Sequence, residues 1–146
     1  MEEADLAEIV RLERSIFPDP WPRSAFSDLL ADDRWRTLIA ENDGKLIGYA
    51  CYLAEAGECH LANIAVHADY RRKSVAKQIL DHILEVAAEN GCEEILLEVR
   101  ASNQQAISFY RGFGFEELHE CPGYYHKPTE SAQVMILYLG TSQDSE

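Results

Sequence analysis

A short cationic segment at residues 71–77 is the first part of this sequence that could do chemistry. It holds four of the chain's thirteen Lys and Arg residues, although the formal net charge of the whole chain is −13. The segment begins a predicted helix, whose first N–H groups lack partners within the helix and whose dipole adds positive charge. It therefore predicts a binding site for an anion such as a pyrophosphate. The alternative is a solvated basic loop that only begins the helix.

Glu98 is the second candidate, because it interrupts an apolar strand. The run Ile95–Val99 predicts a strand that is buried on both faces. A buried carboxylate is costly unless it is paired or useful, so Glu98 is a candidate functional residue. Arg100 lies on the same side of the strand, and the alternative is a simple Glu98–Arg100 ion pair.

Tyr110 is the third candidate. Helical spacing puts it on one face with Asn103, Ala106 and Ile107, and Ser102 is predicted to cap this helix. A tyrosine on an apolar helix face is more often a core residue than a catalyst, so a core role is the alternative.

The elements that position these candidates follow from hydrophobic periodicity and turn residues. Helices are predicted at residues 4–15, 25–30, 74–89 and 103–111, and strands at 35–41, 46–54, 58–66, 94–99, 115–121 and 133–139. Asn42–Lys45 reads as a tight hairpin turn, and Gly91 ends the third helix. The strand–helix–strand unit at 58–99 should be a right-handed crossover with parallel strands. The fold class is therefore α/β (α+β), a mixed, mostly antiparallel sheet with a central parallel unit and helices on both faces.

Composition narrows the class of protein. The length of 146 residues suits one domain, predicted at 1–139, with a flexible tail at 140–146. The four cysteines are scattered without a C-x-x-C pair, which argues against a metal site or a disulfide framework and favours a reducing, cytoplasmic setting. We expect no membrane span and no secretory signal. The acidity argues against nucleic acid as a partner and favours a cationic one. The five histidines are interpreted as surface or satisfied residues.

Four strings carry a resemblance to a known family. Tyr70–Lys77 resembles the coenzyme A-binding motif of the GNAT N-acetyltransferases, R/Q-x-x-G-x-G/A, with Ser74 at the position of a motif glycine. Leu97–Asn103 and Phe109–Phe115 resemble one GNAT branch, the bacterial ribosomal-protein alanine N-acetyltransferases. Phe17–Trp21 resembles the N-terminal substrate loop of that branch, less specifically.

The resemblance implies a GNAT fold, acetyl-CoA as co-substrate and no metal. It assigns coenzyme binding to Ile64, Ala65 and Val66 through their backbone, to Arg71, Arg72, Lys73, Ser74, Val75, Ala76 and Lys77, and to Asn103. It makes Glu98 the base and Tyr110 the proton donor to the leaving thiolate, and it puts the oxyanion at an N–H near Val66.

The implied acceptor is the N-terminal alanine of small-subunit ribosomal protein eighteen, a basic partner. Two alternatives stay open. The first is an acetyltransferase that acts on another protein terminus or a small amine. The second is a protein that binds coenzyme A or a partner without turnover, which Ser74 would favour because a glycine there lets the backbone approach the pyrophosphate closely.

Overall fold

The computed structural model describes residues 1–55, 57–72, 74–126 and 129–139. Its helices and strands, in chain order, are α1 (Leu6–Ile16), α2 (Arg23–Leu30), β1 (Trp35–Asn42), β2 (Lys45–Glu55), β3 (Glu58–Val66), α3 (Val75–Glu89), β4 (Glu94–Arg100), α4 (Gln104–Phe113), β5 (Glu116–His126) and β6 (Thr129–Tyr138). All four predicted helices and all six predicted strands are present. The predicted tail at 140–146 lies outside the described residues.

The six strands form one sheet in the order β1-β2-β3-β4-β6-β5. The sheet is mostly antiparallel and has one parallel pair, which confirms the predicted fold class. The β1–β2 hairpin turns through Asp43 and Gly44, whose φ angles are +53° and +77°. Both angles suit a type I′ turn, so the Asp-Gly signal in the sequence had the expected physical meaning.

Strands β5 and β6 are longer than predicted: β5 continues beyond its predicted end at Cys121, and β6 begins before its predicted start at Gln133. β5 runs past Cys121 through Pro122 and Gly123, and its pairing with β6 shifts register between Cys121 and Tyr125. A proline is tolerated there because β5 is an edge strand and the register shift is a bulge. The cap of α4 was also predicted wrongly. Asn103, not Ser102, caps the helix by accepting a hydrogen bond from Ala106 N–H at 3.1 Å.

Contacts divide the chain into two compact units. One consists of Met1–Leu53 and Leu61–Ile83. Its core is built on the fully buried side chains of Leu6, Ile9, Phe26, Tyr49 and Cys51. The inner faces of α1 and α2 supply the first three, in keeping with the apolar spacing of those helices.

The other unit consists of Ala54–His60 and the chain from Leu84 onward. Here β6 pairs with β4 on one side and β5 on the other, both antiparallel. Ile95, Leu97, Phe115 and Met135 are buried in its core. Three of the chain's four cysteines, at 51, 59 and 92, are buried free thiols, as core-filling residues should be. Among the described residues, no helix is long and apolar enough to span a membrane.

Candidate active site

The cationic segment begins α3 with unusual backbone geometry. Arg72 and Ser74 both have φ angles of +66°, in the left-handed region that glycine favours. The Ser74 carbonyl accepts a hydrogen bond from Gln78 N–H at 3.0 Å, so the helical ladder starts there. The turn therefore demands at position 74 the backbone conformation that a motif glycine adopts without strain. Lys73 lies outside the described residues.

Two cationic side chains of the segment donate hydrogen bonds to other residues of the chain. Arg71 Nε donates to the Val66 carbonyl at 3.3 Å, and Lys77 Nζ donates to Asp81 Oδ2 at 3.0 Å. The first contact ties the segment to the end of β3. The second is an exposed (i, i+4) pair, which contributes little to stability and leaves Lys77 available to a stronger anion. Arg72 and Ser74 are exposed, whereas Val75 and Ala76 are half-buried.

The end of β3 is held very close to β2. A Cβ added to Gly48 would lie 2.8 Å from the Ala65 carbonyl oxygen. Only glycine allows this approach, since the obstructing atom is backbone. Ala65 and Val66 are buried and Ile64 is half-buried, so the strand segment with the predicted backbone role is closely packed on this side.

Glu98 lies on the less buried face of β4. Burial alternates along the strand, with Ile95, Leu97 and Val99 on the fully buried face, so the prediction of burial on both faces was wrong. The Glu98 side chain is 20% exposed. Its Oε1 and Oε2 lie 2.9 Å and 3.1 Å from Nε2 of His60. The hydrogen bond with Glu98 raises the pKa of His60, against a smaller lowering by burial.

His60 is a residue that sequence reasoning missed, since it was interpreted as a surface or satisfied histidine. In β3 it alternates with the buried Cys59 and Leu61 and so lies on the other face of the strand. The predicted parallel unit already made β3 and β4 neighbours. Combining that pairing with strand parity could have identified His60 as a partner for Glu98.

Two tyrosines of β5 belong to the surroundings of Glu98. Burial, followed by the charge of Glu98, raises the pKa of Tyr124. Burial first, then Tyr124 and Glu98, raises the pKa of Tyr125 to about 12. Both phenols therefore stay neutral in the physiological range. They provide a polar but uncharged environment for the carboxylate.

Arg100, the partner first considered for Glu98, makes other contacts. Its guanidinium lies 4.4 Å from the centre of the Tyr125 ring and donates to Glu130 Oε1 at 3.2 Å. Glu130 Oε2 also accepts a hydrogen bond from Ser102 N–H at 2.6 Å. These contacts join the start of β6 to the end of β4.

Tyr110 is 8% exposed on the inner face of α4. Its ring meets those of Phe109 and Phe115 at centroid distances of 5.4 Å and 5.5 Å. Burial, with a further contribution from Tyr125, raises the pKa of Tyr110, so the phenol carries its proton at neutral pH. Asn103 uses its Oδ1 as the α4 cap, which leaves the amide Nδ2 for the predicted contact with coenzyme.

Comparisons with known proteins identify the family of the chain. The model of the Acetyltransferase (GNAT) family matches residues 6–115, more than half of the chain. The [ribosomal protein bS18]-alanine N-acetyltransferase of Escherichia coli (strain K12) is 31% identical over 142 residues, which cover 97% of this chain and 95% of the relative. An N-alpha-acetyltransferase of Sulfurisphaera tokodaii is 30% identical over 134 residues, with 83% and 80% covered.

A solved structure of an N-acetyltransferase is also similar to this chain. The crystal structure of the ribosomal-protein-S18-alanine N-acetyltransferase from Escherichia coli superposes with a TM-score of 0.87 at 29% identity. It covers 100% of this chain and 95% of that one. The chain therefore belongs to the GNAT family of N-acetyltransferases.

Proposed function

We propose that the protein transfers an acetyl group from acetyl-CoA to the α-amine of a protein N-terminus, with the N-terminal alanine of ribosomal protein bS18 as acceptor. The observation that carries the proposal is the Glu98 carboxylate, four-fifths buried, with both oxygens within 3.1 Å of His60 Nε2. Similarity to the bS18-alanine acetyltransferases over nearly the whole chain supports the acceptor. Such an enzyme works in the cytoplasm, where its ribosomal substrate is made.

Acetyl-CoA supplies an activated thioester when it is bound. The residues that would hold it are the backbone of Ile64, Ala65 and Val66, the segment of Arg71, Arg72, Lys73, Ser74, Val75, Ala76 and Lys77, and Asn103. In the segment, the exposed Arg72 and the N–H groups at the start of α3 suit a pyrophosphate. Arg71 would act mainly by holding the turn against Val66. An N–H near Val66 would meet the developing oxyanion.

Glu98 would accept the proton of the attacking amine, directly or through water. An α-amine has a pKa of about 8, so roughly a tenth of it is already neutral at pH 7 and a modest base is enough. A protonated His60 neutralises Glu98, whereas a neutral His60 leaves a net negative charge that can accept a proton. The fraction of the pair in the form that can accept a proton therefore increases as the pH rises.

Tyr110 would give a proton to the departing thiolate. Because burial raises its pKa, it enters the reaction as a neutral phenol. A protonated donor in a largely water-excluded position is what expulsion of a thiolate requires.

The acidic composition suits the proposed acceptor. With a formal net charge of −13, the protein attracts basic chains, and ribosomal proteins are basic. This attraction should speed encounter more than it raises affinity, and salt should weaken it.

The direct test is mass spectrometry of an Ala-starting, basic bS18-like peptide incubated with acetyl-CoA. We expect one acetyl group, placed on the α-amine by fragmentation. Matched peptides that start with Ser, Met or acetyl-Ala control for the first residue and for lysine modification. A higher kcat/KM for the Ser or Met peptide than for the Ala peptide would show that the proposed N-terminal alanine is not the acceptor. Binding of acetyl-CoA in calorimetry without release of free thiol, on any of these peptides, would favour the non-catalytic alternative.

Replacement of Ser74 by glycine should strengthen coenzyme binding. The left-handed conformation at Ser74 costs a non-glycine residue roughly 1–2 kcal/mol. A glycine would also let the backbone approach the pyrophosphate more closely. We expect Ser74→Gly to lower the dissociation constant of acetyl-CoA by about threefold to tenfold in calorimetry. Ser74→Ala removes the hydroxyl but keeps the Cβ and should give no such gain. Weaker binding than wild type in both Ser74→Gly and Ser74→Ala would mean that the hydroxyl, not the backbone, matters at this position.

The pH profile should carry the signature of the His60–Glu98 pair. Because the pKa of His60 is raised, wild-type kcat/KM should still be rising above pH ~6.5, the ordinary histidine value. In His60→Gln no imidazolium pairs with the Glu98 carboxylate, so the rising part of the kcat/KM profile should move to lower pH. The same peptide serves both enzymes, so its own amine titrates identically in each. His82→Gln, at an exposed histidine of α3, should keep the wild-type profile, and a His60→Gln profile that overlays it would rule out the pair as the base.

A further inference from the structure

Glu13 is a buried carboxylate that the proposed chemistry does not use. It lies on α1, is 2% exposed and accepts hydrogen bonds from three separate parts of the chain. Oε2 accepts from Trp21 N–H at 2.9 Å. Oε1 accepts from Asn63 Nδ2 at 3.0 Å and from the Tyr49 hydroxyl. Every buried side-chain N or O atom of the described residues has a partner, so this arrangement is complete.

Packing alone does not explain a carboxylate at this position. Its neighbours on the inner face of α1, Ile9, Val10 and Leu12, are apolar core residues, and an apolar side chain would fill the same space without desolvation of a charge. What a carboxylate adds is the ability to accept several hydrogen bonds at once. Its function is therefore best sought in the elements that its donors belong to.

The first of those elements is the loop between α1 and α2, at residues 17–22. Prolines occupy positions 18, 20 and 22, so half of its residues have no backbone N–H. Of the remaining donors, Phe17 N–H bonds to the Glu13 carbonyl at 3.0 Å and Trp21 N–H bonds to the Glu13 carboxylate. Glu13 thus holds the loop near both of its ends.

The second element is β3. Asn63, 8% exposed, directly precedes Ile64–Val66, the stretch proposed to bind the coenzyme through its backbone. The Trp21 ring packs 5.3 Å from Phe26, which in turn meets Tyr49 edge-on at 5.9 Å. Aromatic contacts therefore support the position of the loop, and the hydrogen bonds of Glu13 fix it relative to β3.

We infer that Glu13 is a positioning residue, which fixes the acceptor loop at 17–22 relative to the coenzyme-binding end of β3. The inference rests on the proposed function, since it takes that loop to contact the incoming peptide. It predicts that loss of the carboxylate harms recognition of the acceptor and leaves coenzyme binding intact.

Glu13→Gln is the sharpest test, because it keeps the shape but puts an NH₂ group where only acceptors are needed. We expect the KM of the Ala-starting peptide to rise about tenfold, while kcat and the dissociation constant of acetyl-CoA stay within about twofold. Hydrogen exchange of the Trp21 amide should accelerate by about tenfold, because its buried acceptor is weakened. Glu8→Gln, an exposed glutamate of the same helix, should behave as wild type in all three measurements.

A reciprocal exchange provides the rescue. In the double variant Glu13→Gln/Asn63→Asp the donor and the acceptor trade places. The new amide group at position 13 can then donate to the new carboxylate at position 63, while its carbonyl oxygen accepts from Trp21 N–H. We expect peptide KM and Trp21 exchange to return toward wild type, which a merely packing role would not produce. If Glu13→Gln fails to fold, Tyr49→Phe removes one donor without changing the ring and should show the same pattern at smaller size.

The outcomes separate this inference from the proposed function. Wild-type exchange at Trp21 in a folded Glu13→Gln, or accelerated exchange with unchanged peptide KM, overturns the positioning role. A wild-type protein that acetylates no peptide overturns the proposed function, and with it the acceptor role of the loop. The exchange measurement would even then decide whether Glu13 fixes the loop.

Discussion

Glu98→Gln should lower kcat by about a hundredfold or more, because a positioned general base contributes 10²–10⁴ in rate. The amide keeps the volume and can still accept from His60 Nε2, so the fold should survive the change. It cannot take up a proton from the acceptor amine. The loss corresponds to roughly 3 kcal/mol of transition-state stabilisation. The measurement is single-turnover acetylation of the Ala-starting peptide, with acetyl-CoA binding followed separately by calorimetry and expected to stay near normal.

Glu94→Gln is the matched control. Glu94 shares the β4 face of Glu98 but lies at the other end of the strand, so its replacement should leave turnover unchanged. A second control is the pH profile, since Glu98→Gln should abolish the dependence on His60. Wild-type turnover in Glu98→Gln would show that the assignment of the base is wrong, however well the protein binds acetyl-CoA.

Tyr110→Phe should lower kcat by about a hundredfold, with coenzyme affinity near normal. Only one oxygen is removed, and the aromatic contacts with Phe109 and Phe115 are kept. The physical reason is that the thiolate then departs without a proton donor. Tyr138→Phe, at the most exposed tyrosine among the large exposed hydrophobic residues, controls for loss of a phenol.

Varying the leaving group of the acetyl donor distinguishes a catalytic role of Tyr110 from a core role. A more acidic thiol needs less help, so an acetyl donor with a better leaving group should narrow the gap between Tyr110→Phe and wild type. A core role would instead lower the melting temperature and spare turnover. Undiminished kcat in Tyr110→Phe would leave the tyrosine with the core role alone.

Local chemistry explains which parts of the fold were predictable. The turn at Asp43–Gly44 and the end of α3 at Gly91 depend on backbone preferences of single residues, and both were predicted correctly. The length of β5 was not, since Pro122 and Gly123 signal a break unless the strand is known to lie at an edge. That knowledge comes from the strand order, which local patterns do not contain.

The candidate site divides in the same way. Glu98 and the anion-binding segment were recognisable from their neighbours in the chain. His60 is 38 residues from Glu98, and Asn63 is 50 residues from Glu13, so each pairing depends on which elements meet in the fold. The left-handed backbone at Ser74 was not predicted, because serine itself gives no such signal. Side chains that pair with residues far away in the sequence were therefore the ones missed.

The edge position of β5 has a consequence for self-association. Its exposed stretch at residues 116–120 carries three glutamates, so a second copy that approached with its own edge would meet like charge. Pro122 supplies no N–H for a new ladder, and the register shift beyond Cys121 bends the strand away from flat pairing. Charge, a missing donor and a bend together oppose growth of the sheet from chain to chain. The exposed Tyr124 can thus lie beside the proposed active site without promoting fibre-like association at that edge.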